Sequence, residues 1–83
     1  MTVSFLQGYA RALVHELIQR ELLEVVPGRH EAVVVFVAEY MAEHGQNRSA
    51  ISLTGQALLA CPDVDELYAD DEALKDAVDA LRA

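Results

Sequence analysis

The sequence predicts an all-α fold, a small bundle of four helices joined by short turns, with three long helices and a short C-terminal one. Apolar residues recur at three- and four-residue spacing over most of the chain, as on one side of a helix. Proline, glycine and polar capping residues separate the segments. A length of 83 residues leaves room for one core, so we assign residues 1–83 to a single domain.

The first predicted helix begins near Thr2 or Ser4, whose hydroxyl can accept a hydrogen bond from an unpaired amide, and runs to about Leu23. Pro27 and Gly28 end this segment, because proline restricts the residue before it and glycine readily turns the chain. The apolar side consists of Val3, Leu6, Tyr9, Ala10, Leu13, Val14, Leu17 and Ile18.

The second predicted helix runs from residue 29 to His44 and ends at Gly45, a common residue after a helix end. Residues 32–38 are apolar nearly all the way round, so this helix must be covered by its own bundle or by a second chain. A buried strand over residues 32–37 is the alternative, because valine and phenylalanine have strong strand preference. Residues 22–26 would then form an irregular hairpin with it. The segment length and its end signals favour the helix.

A polar turn at residues 46–49 leads into the third predicted helix, which Asn47 or Ser49 can cap and which ends before Cys61 and Pro62. Gly55 lies in its middle, where glycine costs about 1 kcal/mol relative to alanine. This helix is therefore the weakest of the four, or it packs so closely that only glycine fits.

Residues 63–66 have the form of a capping box, with an acid at the cap and a glutamate three residues later. A short turn through Leu67 and Tyr68 follows. Asp70 or Asp71 then begins the last helix, whose acids lie at the N-terminal end and favour the helix dipole. Its apolar side consists of Leu74, Ala77, Val78 and Leu81.

The chain is acidic, with 14 acidic and 6 basic residues and a net charge of -8. Phosphate backbones and anionic membrane surfaces repel such a chain, so nucleic acid and membranes are poor partners. The apolar runs are far shorter than the ~18 residues of a membrane span. Cys61 is the single cysteine, and residues 1–5 lack the pattern of a secretory signal. We therefore expect a soluble cytoplasmic protein.

The residues that most often carry chemistry do not form a catalytic pattern. His15, His30 and His44 are not spaced to place two ligands on one helical face, and Cys61 has no basic neighbour that would activate a thiolate. The acids after Asp63 do not follow the spacing of a calcium loop. We predict no metal site, no cofactor and no enzymatic activity.

We therefore predict a small acidic interaction, adaptor or assembly module that acts by surface recognition. The broad apolar side of the second helix favours self-association, with a homodimer as the simplest form. The residues expected at this interface are Val33, Phe36, Val37, Tyr40 and Met41. The acidic C-terminal quarter is a candidate docking site for a basic partner, with Asp63, Asp65, Glu66, Asp70, Asp71 and Glu72.

A nucleic-acid-related regulator is the alternative function. The second helix, its turn and the third helix have the outline of a helix-turn-helix, and Asn47, Arg48 and Gln56 are residue types that read bases. The net charge argues against direct binding, because cations that contact phosphates supply most nonspecific affinity. An acidic chain could instead mimic nucleic acid and occupy a basic cleft.

Overall fold

The described part of the chain is mostly helical, with four helices and one small antiparallel sheet. The computed structural model describes residues 3–45 and 49–82. The elements in order are α1 (Val3–Gln19), β1 (Leu23–Val25), α2 (His30–His44), α3 (Ala50–Ala60), β2 (Val64–Leu67) and α4 (Asp71–Arg82). The four predicted helices are confirmed, whereas the all-α class is wrong for two short segments that form strands.

The first helix ends at Gln19, four residues earlier than predicted. Glu21 adopts a left-handed conformation with φ of 61°, which is uncommon for a residue with a side chain. Its N–H donates to the carbonyl of Ile18 at 2.9 Å, and the N–H of Leu22 donates to the carbonyl of Leu17 at 2.9 Å. These two bonds satisfy carbonyls at the end of α1 and turn the chain into β1.

The predicted ends of the other helices are largely confirmed. α2 ends at His44 and is followed by Gly45, although Gly45 keeps a right-handed conformation with φ of -76°. Ser49 caps α3, since its Oγ accepts a hydrogen bond from the N–H of Ser52 at 3.2 Å. Asp70 caps α4 in the same way, accepting from the N–H of Ala73 at 2.8 Å.

Some predicted features lie outside the described residues. They are the cap at Thr2 and the polar turn at residues 46–48, which includes Asn47 as a cap and Arg48 as a base-reading residue. Ser4, the other candidate cap for α1, lies within the helix and is therefore not its cap.

The sheet pairs β1 with β2 in antiparallel orientation, which the sequence analysis did not predict. The paired residues are Leu23 with Leu67, Glu24 with Glu66, and Val25 with Val64. The register shifts by one residue after Glu24, which leaves Asp65 as the extra residue of a bulge. The predicted capping box at residues 63–66 and the turn through Leu67 are therefore wrong, and residues 22–26 pair with β2 instead of with α2.

The core lies between the four helices, with α2 packed against both α1 and α3 while α4 packs against α3 and α1. The apolar side predicted for α1 is partly buried at Tyr9 and buried at Leu6, Ala10, Leu13, Val14 and Leu17, and α4 buries Leu74, Ala77 and Val78. The buried residues of α2 are Val33, Val34, Val37, Ala38 and Met41. The helical prediction for residues 32–37 is confirmed, and neighbouring helices of the same chain cover much of this segment.

Candidate interaction surfaces

The five residues predicted to mediate self-association divide into two groups. Val33 and Val37 are 0% exposed and Met41 is 7% exposed, so all three pack within the chain's own core. Phe36 and Tyr40 are only half-buried at the edge of that core. Self-association stays a prediction, and a second copy that docks on the described surface of α2 would meet Phe36 and Tyr40 first.

Phe36 and Tyr40 belong to a row of rings along one side of α2. Their ring centroids are 6.2 Å apart with an interplanar angle of 24°, and the Tyr40 and His44 rings are 4.4 Å apart. A spacing of four residues brings side chains together on a helix, which explains the row. The sequence analysis named two of these residues and missed that His44 extends them.

The acids predicted to dock a basic partner have different roles. Asp63 accepts two hydrogen bonds from the Arg29 guanidinium, at 3.0 Å from Nε and 3.5 Å from Nη2, and this pairing raises the pKa of Arg29. Asp70 caps α4. Asp71 and Glu72 are exposed in the first turn of α4, where negative charge favours the helix dipole. Asp65 and Glu66 are exposed on β2.

Glu24 joins this acidic end of the protein, although the sequence analysis did not place it there. It lies directly across the sheet from Glu66, and both are exposed. The Tyr68 hydroxyl donates to Glu24 Oε1 at 3.0 Å, and Tyr68 is 56% exposed. We call Glu24, Asp65, Glu66 and Tyr68 the acidic sheet surface.

The electrostatic field at this surface acts on the Tyr68 hydroxyl. Its pKa is raised, chiefly by the hydrogen bond to Glu24 and also by the negative charges of Glu24, Glu66 and Asp65. The Tyr68 hydroxyl therefore hydrogen-bonds one carboxylate, that of Glu24 on β1, and the charges of two more on β2 act on it. The Tyr68 ring adds an exposed apolar face beside them.

Most described cations already have an internal partner. Arg11 pairs with Glu31, Arg20 with Glu16, Arg29 with Asp63, and Lys75 with Asp79. Within residues 3–45 and 49–82, several acids form no ion pair, and they are Glu21, Glu24, Glu39, Asp65, Glu66, Asp70, Asp71, Glu72 and Asp76. Six of these lie on the sheet or at the start of α4, so the excess negative charge is concentrated there.

The other residues considered for chemistry are placed as follows. His15, His30 and His44 are exposed, and Cys61 is a buried free thiol whose pKa is raised, chiefly by burial. In the part of the chain that the structure describes, no three histidine, cysteine or acidic side chains form a group that could hold a metal ion. His15 and His30 both line one cleft between α1 and α2.

Comparison of the chain with protein-family models, curated proteins and solved structures finds no match. Among the described residues, no helix has both the length and the apolar composition that crossing a membrane requires.

Proposed function

We propose that this protein is a small acidic interaction module that recognises a basic partner through the acidic sheet surface and the adjoining start of α4. It acts by binding and not by catalysis. The observation that carries the proposal is the unbalanced charge at this end of the protein, where exposed carboxylates from β1, β2 and α4 have no described cation as partner.

Charge complementarity gives this arrangement its specificity. Exposed acids without internal partners attract a basic segment over a range of about 8 Å at physiological salt, and they repel acidic partners. Tyrosine is enriched at interface centres because its ring buries apolar area while its hydroxyl hydrogen-bonds. Tyr68, whose hydroxyl donates to Glu24, supplies both features beside the carboxylates of the sheet.

The opposed glutamates of the sheet support the same conclusion. Like charges directly opposite each other in a sheet are destabilising, by an amount within the range of about 0.2–1 kcal/mol for such pairs. Glu24 and Glu66 are such a pair. A lysine or arginine side chain from a partner, placed between them, would turn this repulsion into two attractions.

A charge-matched pair of variants tests the proposal. Glu24→Gln/Glu66→Gln removes two charges from the acidic sheet surface, and Glu39→Gln/Glu43→Gln removes two charges from the exposed side of α2. Both variants have the same net charge. Binding to a panel of lysine- and arginine-rich peptides is measured by calorimetry at low and high salt, with labelled duplex DNA as a second ligand.

We expect the sheet variant to bind the basic peptides at least about tenfold more weakly than the α2 variant, because it loses two charge-assisted contacts. Equal weakening by both variants would mean that only net charge matters and would overturn the assigned site. Binding to DNA that weakens steeply with salt would favour the nucleic-acid alternative instead.

Self-association is the second part of the proposal. The half-buried rings of Phe36 and Tyr40 are the part of the predicted interface that the chain leaves partly open. Absolute mass by light scattering over a dilution series measures it, with Tyr40→Ser as the interface variant and Tyr68→Ser as a matched control. A dimer that only Tyr40→Ser dissociates would support a contact along α2, whereas a monomer at every concentration would refute it.

A further inference from the structure

A cleft of about 220 Å³ lies between α1 and α2 and shares no residue with the acidic sheet surface. Its apolar walls come from Val14 and Ile18 of α1 and Val34 of α2, and its polar rim comes from Arg11, His15, His30 and Glu31. Small-molecule sites share this pattern of apolar walls with a few convergent polar groups. The volume is below the range of about 300–1,000 Å³ for drug-sized ligands, so it suits a single ring or a short chain.

The polar rim combines two imidazoles with one ion pair. His15 and His30 are exposed and approach the cleft from different helices. Glu31 lines the cleft too, but its carboxylate pairs with Arg11 across the two helices. α2 begins at His30 and has no side-chain cap, so the positive end of its dipole lies at the same rim.

We propose that this cleft binds a small carboxylate with an apolar body. The carboxylate would accept hydrogen bonds from the imidazoles of His15 and His30, and the apolar body would lie against Val14, Ile18 and Val34. Arg11 and Glu31 neutralise each other in their ion pair, so the preference for a carboxylate depends on His15, His30 and the N-terminus of α2. A metal ion is the weaker reading, since the described residues offer no group of three ligands.

Three probes that share one ring test the charge requirement. Benzoate, benzyl alcohol and benzylammonium differ in the group that would face the rim. We expect benzoate to shift the imidazole NMR signals of His15 and His30 together and saturably, while the signals of His44 stay fixed. Hydrogen bonds to a charged carboxylate are stronger than those to a neutral hydroxyl, so benzoate should bind about tenfold or more tightly than benzyl alcohol.

The matched variants are His15→Gln/His30→Gln and His44→Gln, all at exposed positions. Calorimetry should show that the double variant loses the tenfold preference for benzoate and that His44→Gln keeps it. If the double variant misfolds, the single variants His15→Gln and His30→Gln replace it in the test. Each of them should weaken the binding of benzoate. Equal binding of all three probes, no saturable shift with benzoate, or shifts of both histidines with Zn²⁺ alone would overturn the proposal.

Discussion

Substitution of Val37 tests whether the chain completes its core by itself or needs a second copy to cover α2. Val37→Ala removes two methyl groups from a side chain that is 0% exposed. Each buried methyl group stabilises by about 0.8 kcal/mol, and the residual cavity brings the expected loss to about 2–3 kcal/mol. A domain of this size has a free energy of unfolding of about 4–12 kcal/mol, so the variant should still fold.

Val35→Ala is the matched control, with the same chemical change on the same helix. Val35 is only half-buried, between the exposed residues Glu31 and Glu39 that follow the same side of α2. Its substitution loses less apolar contact, and alanine has a better helix propensity than valine by up to about 0.7 kcal/mol. We expect the change in free energy of unfolding to stay below about 1 kcal/mol.

Urea unfolding at low and high protein concentration measures both variants. The expected result is that Val37→Ala lowers the urea midpoint more than Val35→Ala does at either concentration, and thermal unfolding should show a melting temperature lowered by about 10–20 °C for Val37→Ala. If Val35→Ala costs as much as Val37→Ala, the burial of α2 described above is wrong. A midpoint that rises with protein concentration would show that a second copy covers this helix.

The remaining predictions concern single groups. Gly8→Ala should raise the free energy of unfolding by about 0.5–1 kcal/mol, because a Cβ there meets nothing within 4 Å. Gly55→Ala should gain less, because its Cβ would lie 3.3 Å from the Leu74 side chain, and an equal gain would contradict this contact. Tyr9→Phe should leave stability unchanged or raise it by about 1 kcal/mol, because the buried Tyr9 hydroxyl has no hydrogen-bond partner in the described residues. A loss in urea unfolding would point to a partner for that hydroxyl. Burial raises the pKa of Cys61 above its ordinary value of 9.0. The folded chain therefore holds this proton more tightly than the unfolded chain, so stability should fall as pH rises from about 9. Cys61→Ala should reduce the slope of stability against pH above about 9, and an unchanged slope would contradict the raised pKa of Cys61.

The helices could be predicted from the sequence because their signals are local. α4 combines a cap at Asp70, acids in its first turn and apolar residues three and four apart, all within one short segment. α2 is harder to predict, since its valines favour a strand. Its length and end signals correctly predict a helix. In each case the residues that decide the structure are close together in the sequence.

The sheet could not be predicted in the same way, because it joins segments that lie far apart in the chain. Leu23 pairs with Leu67, and neither strand is longer than four residues. Residues 22–26 have a strand-like composition, but the strand partner considered for them from the sequence is the neighbouring segment, residues 32–37. The left-handed turn at Glu21 also has no sequence signal, since glutamate seldom adopts it.

The same limit applies to the candidate sites. The acids after Asp63 are visible as a cluster in the sequence, whereas the addition of Glu24 depends entirely on the sheet. The placement of His15 and His30 on one cleft likewise depends on how α1 packs against α2. A search for ligands at three- or four-residue spacing on one helix cannot find residues that two helices bring together.

The opposed glutamates connect this long-range pairing to the proposed function. Stability alone would favour a lysine opposite Glu24, because unlike charges across a sheet attract each other. The chain instead has Glu66 opposite Glu24, and four described cations pair with acids other than these two. A surface that loses stability in the free protein can recover it when a cation from a partner binds, so the repulsion between Glu24 and Glu66 favours the bound state over the free one.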